Sequence, residues 1–328
     1  MRKELRKLLV TGGAGFIGSE FVRQVLGRGY EVAVVDKLTY AGDLDRLKQE
    51  AGKFKFYRVD VRDRKKIDSV IKKELPQAII HFAAETHVDR SIVDASPFID
   101  TNIKGTQVLL DASRKYGIKK FIQISTDEVY GEITRGRFRE DSPLRPNSPY
   151  AASKAAADLL VNSFVRTHGF PALIVRPSNN YGPWQYPEKL IPLVILNASR
   201  NRKVPVYAKG LNAREWLFVS DSAKAIILIL EEGKIGEVYN IGSAQERKNI
   251  DVVKTILRDL SRPVSLIEYV KDRPGHDLRY SLDCNKLKRL GWRPGIGFKE
   301  GIAKTILWYT RHGAWLKKHE RKKLSIKF

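Results

Sequence analysis

The chain has 328 residues, of which 42% are hydrophobic and 30% charged, enough for one large or two closely packed globular domains. No apolar run approaches the roughly 20 residues that a membrane helix needs, and the single cysteine, Cys284, excludes an internal disulfide. Six scattered histidines give no metal-ligand spacing, so no metal is expected.

The formal charge of +23 would suit a nucleic-acid partner. Lys and Arg are spread along the chain, however, without a nucleic-acid-binding motif. The expectation is a basic solvated surface around a site for an acidic nucleotide, with neither nucleic acid nor membrane as partner. The start Met1-Arg-Lys-Glu-Leu-Arg-Lys lacks the apolar core of a signal peptide, so a cytoplasmic location is expected.

Residues 7–11 read as a strand, and Gly12-Gly-Ala-Gly15-Phe16-Ile17-Gly18 follows at once, with a helical pattern over 19–26. Strand, glycines, helix is the context in which backbone approaches a pyrophosphate, whose charge sits on the helix N-terminus. The next strand, over 31–36, ends in Asp36. Its distance from the glycines suits a carboxylate that takes the adenosine ribose hydroxyls and repels a 2′-phosphate, favouring NAD. Lys37 beside it weakens that exclusion slightly, and a turn cap is the structural alternative for Asp36. A third strand over 53–60 ends in Asp60 and Val61, where an adenine could lie. A fourth, over 77–83, ends in Ala83-Ala84-Glu85-Thr86-His87, small residues that let a cofactor pass and then polar ones. His87 reads as structural, since nothing in the sequence pairs it with a base or metal.

A helix is predicted over 100–116, with Asn102 bridging buried backbone groups near the site. The fifth strand, 120–124, runs into Ser125-Thr126-Asp127-Glu128, which brings hydroxyls and two carboxylates to the carboxyl edge of the sheet, where ligands of open α/β sheets bind. Residues 131–149 are rich in Arg, Gly and Pro and read as a loop. Ser148 reads as the N-cap and Pro149 as the first residue of a helix to 168, so Tyr150 and Lys154, spaced i and i+4, share a face. Ala151, Ala152, Ala155, Ala156 and Ala157 on that helix suit close packing against another helix, within the chain or across a dimer.

A sixth strand covers 172–177. Strands alternating with helices to this point indicate a doubly wound parallel sheet of Rossmann type. The rhythm then breaks into a smaller mixed α/β substrate-binding lobe. The expected division is a cofactor domain over 1–180, with 215–242 returning to it, and a lobe mainly over 181–328. Basic residues 317–323 read as a solvated helix end.

The glycine turn together with Tyr150-x-x-x-Lys154 resembles the extended short-chain dehydrogenase/reductase family. The segments 35–42, 84–91, 125–131, 178–183 and 272–280 narrow the resemblance to its dTDP-glucose 4,6-dehydratases, over nearly the whole chain. Thr126-Asp127-Glu128 is the most telling part. The resemblance implies NAD as cofactor, dTDP-glucose as substrate, a homodimer, and loss of water from the sugar toward a deoxysugar. Tyr150, as phenolate beside Lys154, would take the O4 proton, and Thr126 would orient O4. Glu128 would remove the C5 proton, and protonated Asp127 would protonate the departing O6.

It further implies a cofactor site of Gly12, Gly15, Phe16, Ile17, Gly18, Asp36, Lys37, Leu38, Thr39, Asp60, Val61, Phe82, Ala83, Ala84, Glu85, Thr101, Tyr150, Lys154 and Asn180. The sugar nucleotide would meet Thr86, Thr126, Asn179, Lys189, Leu190, Pro205, Val206, Tyr207, Arg214, Asn249, Asp272, Arg273 and His276. Arg214 and Arg273 suit a diphosphate, because guanidinium forks match phosphate oxygens. A UDP-glucose 4,6-dehydratase, or a UDP-sugar 4-epimerase or decarboxylase of the same fold, is the alternative. Taken singly, a Tyr-x-x-x-Lys spacing or an acidic pair after a strand also occurs for structural reasons; the combination carries the reading.

Overall fold

The apolar runs pair into a seven-stranded parallel sheet in the computed structural model, which describes residues 5–324. In chain order the strands are β1 (Lys7–Thr11), β2 (Glu31–Val35), β3 (Lys55–Tyr57), β4 (Ala78–His81), β5 (Lys120–Ile124), β6 (Ala172–Pro177), β7 (Asn179–Tyr181), β8 (Val204–Tyr207), β9 (Ala213–Phe218), β10 (Val238–Ile241), β11 (Glu246–Lys248) and β12 (Ile267–Val270). The large sheet has the order β10-β6-β5-β4-β1-β2-β3. The winding reverses between β1 and β4, and that switch point opens a crevice at the carboxyl edge.

Strands buried on both faces explain the near-continuous Val, Ile and Leu runs. Leu8 and Val10 face the helices Phe16–Gly27 and Val219–Glu232, whereas Leu9 faces the helices Arg64–Glu74, Gly105–Lys115 and Pro149–His168. A second core joins the helices Leu190–Ser199, Asn249–Asp259 and Phe298–Arg311 to β8 and β9.

Several boundaries differ from the sequence reading. The third strand is only Lys55–Tyr57, so Asp60 lies beyond it. The first helix starts at Phe16, because the glycine turn itself supplies its N-terminus. The helix predicted from residue 100 begins as a π-helical turn, Ile99–Lys104. Of residues 215–242, the helix Val219–Glu232 and β10 join the large sheet, but β9 does not. It pairs with β7 and β11 in a three-stranded sheet, while β8 and β12 form a third. Nor is the basic tail simply solvated. In the closing helix Gly313–Leu324, Trp315, Leu316 and His319 are buried. Residues 325–328 of that tail lie outside the described residues.

The glycine turn is set by contact as well as by conformation. Gly12 has φ +68°, and a Cβ there would lie 2.5 Å from the Ala83 nitrogen. At Gly18 a Cβ would stand 2.3 Å from the Gly12 carbonyl oxygen. Close seating of the first helix on the turn therefore requires glycine at 18. Gly18→Ala is expected to lower the unfolding free energy by about 1–3 kcal/mol through overpacking, which urea titration followed by circular dichroism would measure.

Candidate active site

The end of β5 turns sharply into the 3-10 helix Asp127–Tyr130. Thr126 caps that helix. Its Oγ1 accepts from the Glu128 N–H at 3.3 Å and donates to Asp127 Oδ1 at 3.3 Å. Across the crevice the helix Pro149–His168 starts as its sequence dictates, with Ser148 Oγ accepting from the Ala151 N–H at 3.1 Å and Pro149 in the first turn. Tyr150 and Lys154 both line the crevice, on the face turned toward β5. Lys154 Nζ donates to the Ile124 carbonyl at 2.6 Å, which joins the helix to the strand end. Asn102, placed by the π-helical turn, donates to Ser153 Oγ at 2.8 Å and brackets Glu85 through both its N–H (2.9 Å) and its C=O (3.0 Å). This is the bridging expected of it.

The two carboxylates occupy unlike surroundings. Asp127 is buried, its Oδ2 has no hydrogen-bond partner, and burial together with the negative charge of Glu128 holds its carboxyl well above the usual range. Glu128 is also raised by burial, but it faces the positive charges of Arg273, Arg214 and Lys189, which oppose the rise. Asp127 is thus the stronger candidate for a neutral acid and Glu128 for an ionised base. Tyr150 differs from the expectation of a phenol lowered by Lys154. Burial and the charge of Glu128 push it up, with the Thr126 hydroxyl acting against them, and Lys154 is committed to Ile124. Below this layer Asp158 accepts from Arg176 Nε at 2.9 Å, and its charge favours the protonated form of Lys154.

Toward β1 and β2 the crevice is lined by Gly12, Gly15, Phe16, Ile17, Gly18, Asp36, Lys37 and Thr39. Val61, Phe82, Ala83, Ala84, Glu85, Thr86, Thr101, Asn179, Asn180 and Lys189 complete that wall. No side chain caps the helix that opens at Phe16, so its first amides are free to meet an anion. Asp36 accepts from the Ala14 N–H at 3.1 Å and the Leu38 N–H at 2.8 Å, which orient its carboxylate at the end of β2. Asn179 Oδ1 and Asn180 Oδ1 are buried and unpartnered. These residues fit a nicotinamide dinucleotide. Leu38 and Asp60 are not among the residues that line the crevice, but both adjoin it. Leu38 donates its N–H to Asp36, and Asp60 pairs with Arg62 at 2.8 Å and lies 3.5 Å from the lining residue Lys37.

The remaining expected substrate residues are spread over the smaller lobe. Arg214 is buried on β9, donating to the carbonyls of Asp277 (2.7 Å) and Leu278 (3.2 Å) with its guanidinium 4.2 Å from the Tyr280 ring centroid. Arg273 pairs with Asp89 at 3.0 Å, and Tyr207 donates to the same carboxylate at 2.9 Å. His276 stands edge-on to Tyr207 and 2.6 Å from Asp272. Pro205 and Val206 lie on β8, Leu190 opens the helix Leu190–Ser199, and Asn249 opens the helix Asn249–Asp259 with its Oδ1 buried and unpartnered. The charges of Arg214 and Arg273 tie this cluster to Glu128.

Sequence reasoning placed Ser125 at this edge but missed Ser178, Gln185, Tyr186, Glu188 and Arg46, all of which line the crevice. Glu188 accepts from Tyr40 at 3.0 Å and Arg90 at 3.3 Å and lies 3.7 Å from His87. His87 therefore has a carboxylate neighbour that no local spacing signals, and it also caps the helix Val88–Val93.

A glycine turn at the switch point of a doubly wound sheet, facing a Tyr–Lys helix, defines the extended short-chain dehydrogenase/reductase class. The family model described as GDP-mannose 4,6 dehydratase matches residues 9–305. A dTDP-glucose 4,6-dehydratase of Streptomyces niveus is 48% identical, covering 94% of this chain and 94% of the relative. The crystal structure of the dTDP-glucose 4,6-dehydratase DesIV of Streptomyces venezuelae, with NAD and TYD bound, superposes with a TM-score of 0.93 at 46% identity, covering 95% of this chain and 99% of that one. The UDP-glucose 4-epimerase of Thermus thermophilus, in complex with NAD, shares the fold with a TM-score of 0.89 at 32% identity, over 93% and 99% of the two chains. The chain belongs to the family of NAD-dependent nucleotide-sugar 4,6-dehydratases.

The buried lysine makes a test of this site. Burial lowers Lys154 from its ordinary value of 10.5 to about 8. Below about pH 8 the folded state carries the cost of that buried charge in full, and the cost fades as pH rises toward 10.5, where the unfolded chain also loses its proton. Lys154→Met is expected to abolish turnover yet raise the unfolding free energy by about 2 kcal/mol at pH 7. That gain should shrink steadily between pH 8 and 10.5 in urea titrations.

Proposed function

We propose that the chain converts dTDP-glucose to dTDP-4-keto-6-deoxyglucose and water. The observation that carries this reading is the unlike setting of Asp127 and Glu128 at one strand end, facing Tyr150 and Lys154. Removing water across a carbon–carbon bond needs one group to take a proton and another to give one, side by side.

The chemistry that NAD supplies when bound is reversible hydride transfer, out at C4 and back at C6, with no net consumption. Tyr150 accepts the proton of the sugar O4, and Thr126, within hydrogen-bonding reach of Tyr150, orients that oxygen. Burial and Glu128 oppose the ionised phenol this requires; the Thr126 hydroxyl favours it, and Lys154 is proposed to add positive charge on turning from the Ile124 carbonyl toward Tyr150. With a ketone at C4 the C5 proton is acidic. Glu128 removes it, its ionised form favoured by Arg214, Arg273 and Lys189. Asp127, held neutral, gives its proton to the departing O6, which leaves as water. Glu128 then returns its proton to C5, so the sugar's net loss is the O4 proton and the C6 hydroxyl, together the one water expelled. The proton held on Tyr150 passes to solvent as Asp127 regains its own.

Arg214 and Arg273 are proposed to meet the diphosphate, with Tyr207, Val206 and Asn249 nearer the base. The cofactor domain is proposed as residues 1–180 with the helix Val219–Glu232 and β10. A homodimer in the cytoplasm is proposed as the working form. In its support, Leu159 on the helix Pro149–His168 and the neighbouring Val93 and Ile99 leave large apolar side chains exposed. Light scattering should then report twice the chain mass.

The direct test is incubation with dTDP-glucose and with UDP-glucose, without added reductant, followed by mass spectrometry. Loss of one water from dTDP-glucose, at constant NAD, is expected. Water loss only from UDP-glucose would move the base assignment. An unchanged mass with a new sugar isomer would favour epimerisation, which the fold shared with the UDP-glucose 4-epimerase allows, and would remove the roles of Asp127 and Glu128. Glu128→Gln and Asp127→Asn are each expected to lower kcat by about 10²–10⁴-fold.

A further inference from the structure

The crevice wall formed by Thr39, Ala41, Gly42 and Arg46 is held from behind by the closing helix Gly313–Leu324. That helix lies beyond the 9–305 span matched by the family model. Asp43 is the meeting point. Its Oδ2 accepts from Trp315 Nε1 at 2.9 Å and His319 Nε2 at 2.8 Å, and Lys318 Nζ stands 3.3 Å from both oxygens. Its Oδ1 also accepts from the Asp45 N–H at 3.1 Å. Asp43 is 8% exposed and His319 wholly buried, so these bonds are shielded from water.

From Asp43 the linkage runs to the glycine turn. The Asp43 N–H donates to the Ala14 carbonyl at 3.0 Å, and Arg46 Nη1 donates to the same oxygen at 2.8 Å. Ala14 in turn donates its N–H to Asp36 Oδ2. Arg46 also reaches the Ala41 carbonyl at 2.6 Å and the Trp184 carbonyl at 3.1 Å, so it joins the turn, the loop and the smaller lobe at one guanidinium. Trp184 stands edge-on to Trp315, which closes the circuit.

We infer that the closing helix, through Asp43 and Arg46, is a clasp that positions the glycine turn and Asp36 and so retains NAD between turnovers. The inference rests on the proposed reading that NAD occupies that turn. Release of a dinucleotide from the crevice requires the 38–46 loop to lift, and lifting it breaks the buried bonds at Asp43. Asp43, Trp315 and His319 lie outside the crevice lining and are positioning residues, acting through Arg46, Asp36 and the turn amides.

The test uses the full chain loaded with NAD. Exchange against isotopically labelled NAD is followed by mass spectrometry, apart from any turnover. Trp315→Phe and His319→Phe each keep a ring but lose a donor to Asp43, and each is expected to speed NAD release about tenfold, the effect of one lost hydrogen bond to a charged group. His319→Gln, whose amide still donates, should return release to within about twofold of the natural chain. At saturating NAD the KM for nucleotide sugar should not move. Unchanged release in the Trp315→Phe/His319→Phe double variant, with native circular dichroism, would overturn the clasp and leave the cofactor reading standing. A natural chain that binds no NAD would overturn both.

Discussion

Two adjacent carboxyl groups cannot be equally ionised in a buried crevice, and the molecule is arranged around that inequality. Asp127 lies inward, against Glu128 and away from any donor for its second oxygen. Glu128 turns toward cations contributed by three separate segments of the smaller lobe, at residues 189, 214 and 273. The large sheet provides the strand end and the acid. The lobe provides the field that makes its neighbour a base. Neither half holds the acid–base pair alone, which gives a physical reason for the lobe to be interleaved with the sheet.

The same division explains the buried pair Arg176–Asp158 beneath the helix Pro149–His168. A lysine kept below its ordinary value by burial needs a counter-charge to stay protonated near neutrality, and Asp158 stands one helical turn from Lys154. Asp158 in turn needs Arg176, which also donates to Tyr130 at 2.8 Å. Polar groups this deep are costly unless each has a partner. The layering from Lys154 to Tyr130 shows that cost met by successive neighbours.

Much of this was legible in the sequence because it is local. The glycine turn, the Ser148–Pro149 helix start and the strand ending at Ile124 follow from spacings of a few residues, and the structure places them accordingly. What was not legible depends on segments far apart in the chain. His87 meets Glu188 across about a hundred residues, and Asp43 meets His319 across 276. β9 reads as a sheet strand from its apolar run, yet pairing with β7 and β11 takes it out of the large sheet. Asp60 has its position after a predicted strand, but its pairing with Arg62 two residues on and with Lys37 is not signalled by that spacing. The electrostatic settings of Asp127 and Glu128 belong to this second kind, since they depend on where Arg214 and Arg273 arrive.

The position of β10 also bears on how the molecule is made. β10 pairs with β6 along Ile174 to Pro177, but about sixty residues, lobe segments and the helix Val219–Glu232, lie between them in the chain. While those residues are still being synthesised, β6 presents an unpaired parallel edge of Ala, Leu, Ile and Val. Such edges template pairing with other chains. The nascent protein therefore passes through an interval in which this apolar strand is open on one side, and the interval ends when residues 238–241 leave the ribosome. Any slowing of translation between 178 and 238 lengthens that exposure, so the pace of elongation over the lobe bears on yield of folded protein as directly as the sequence of β6 itself.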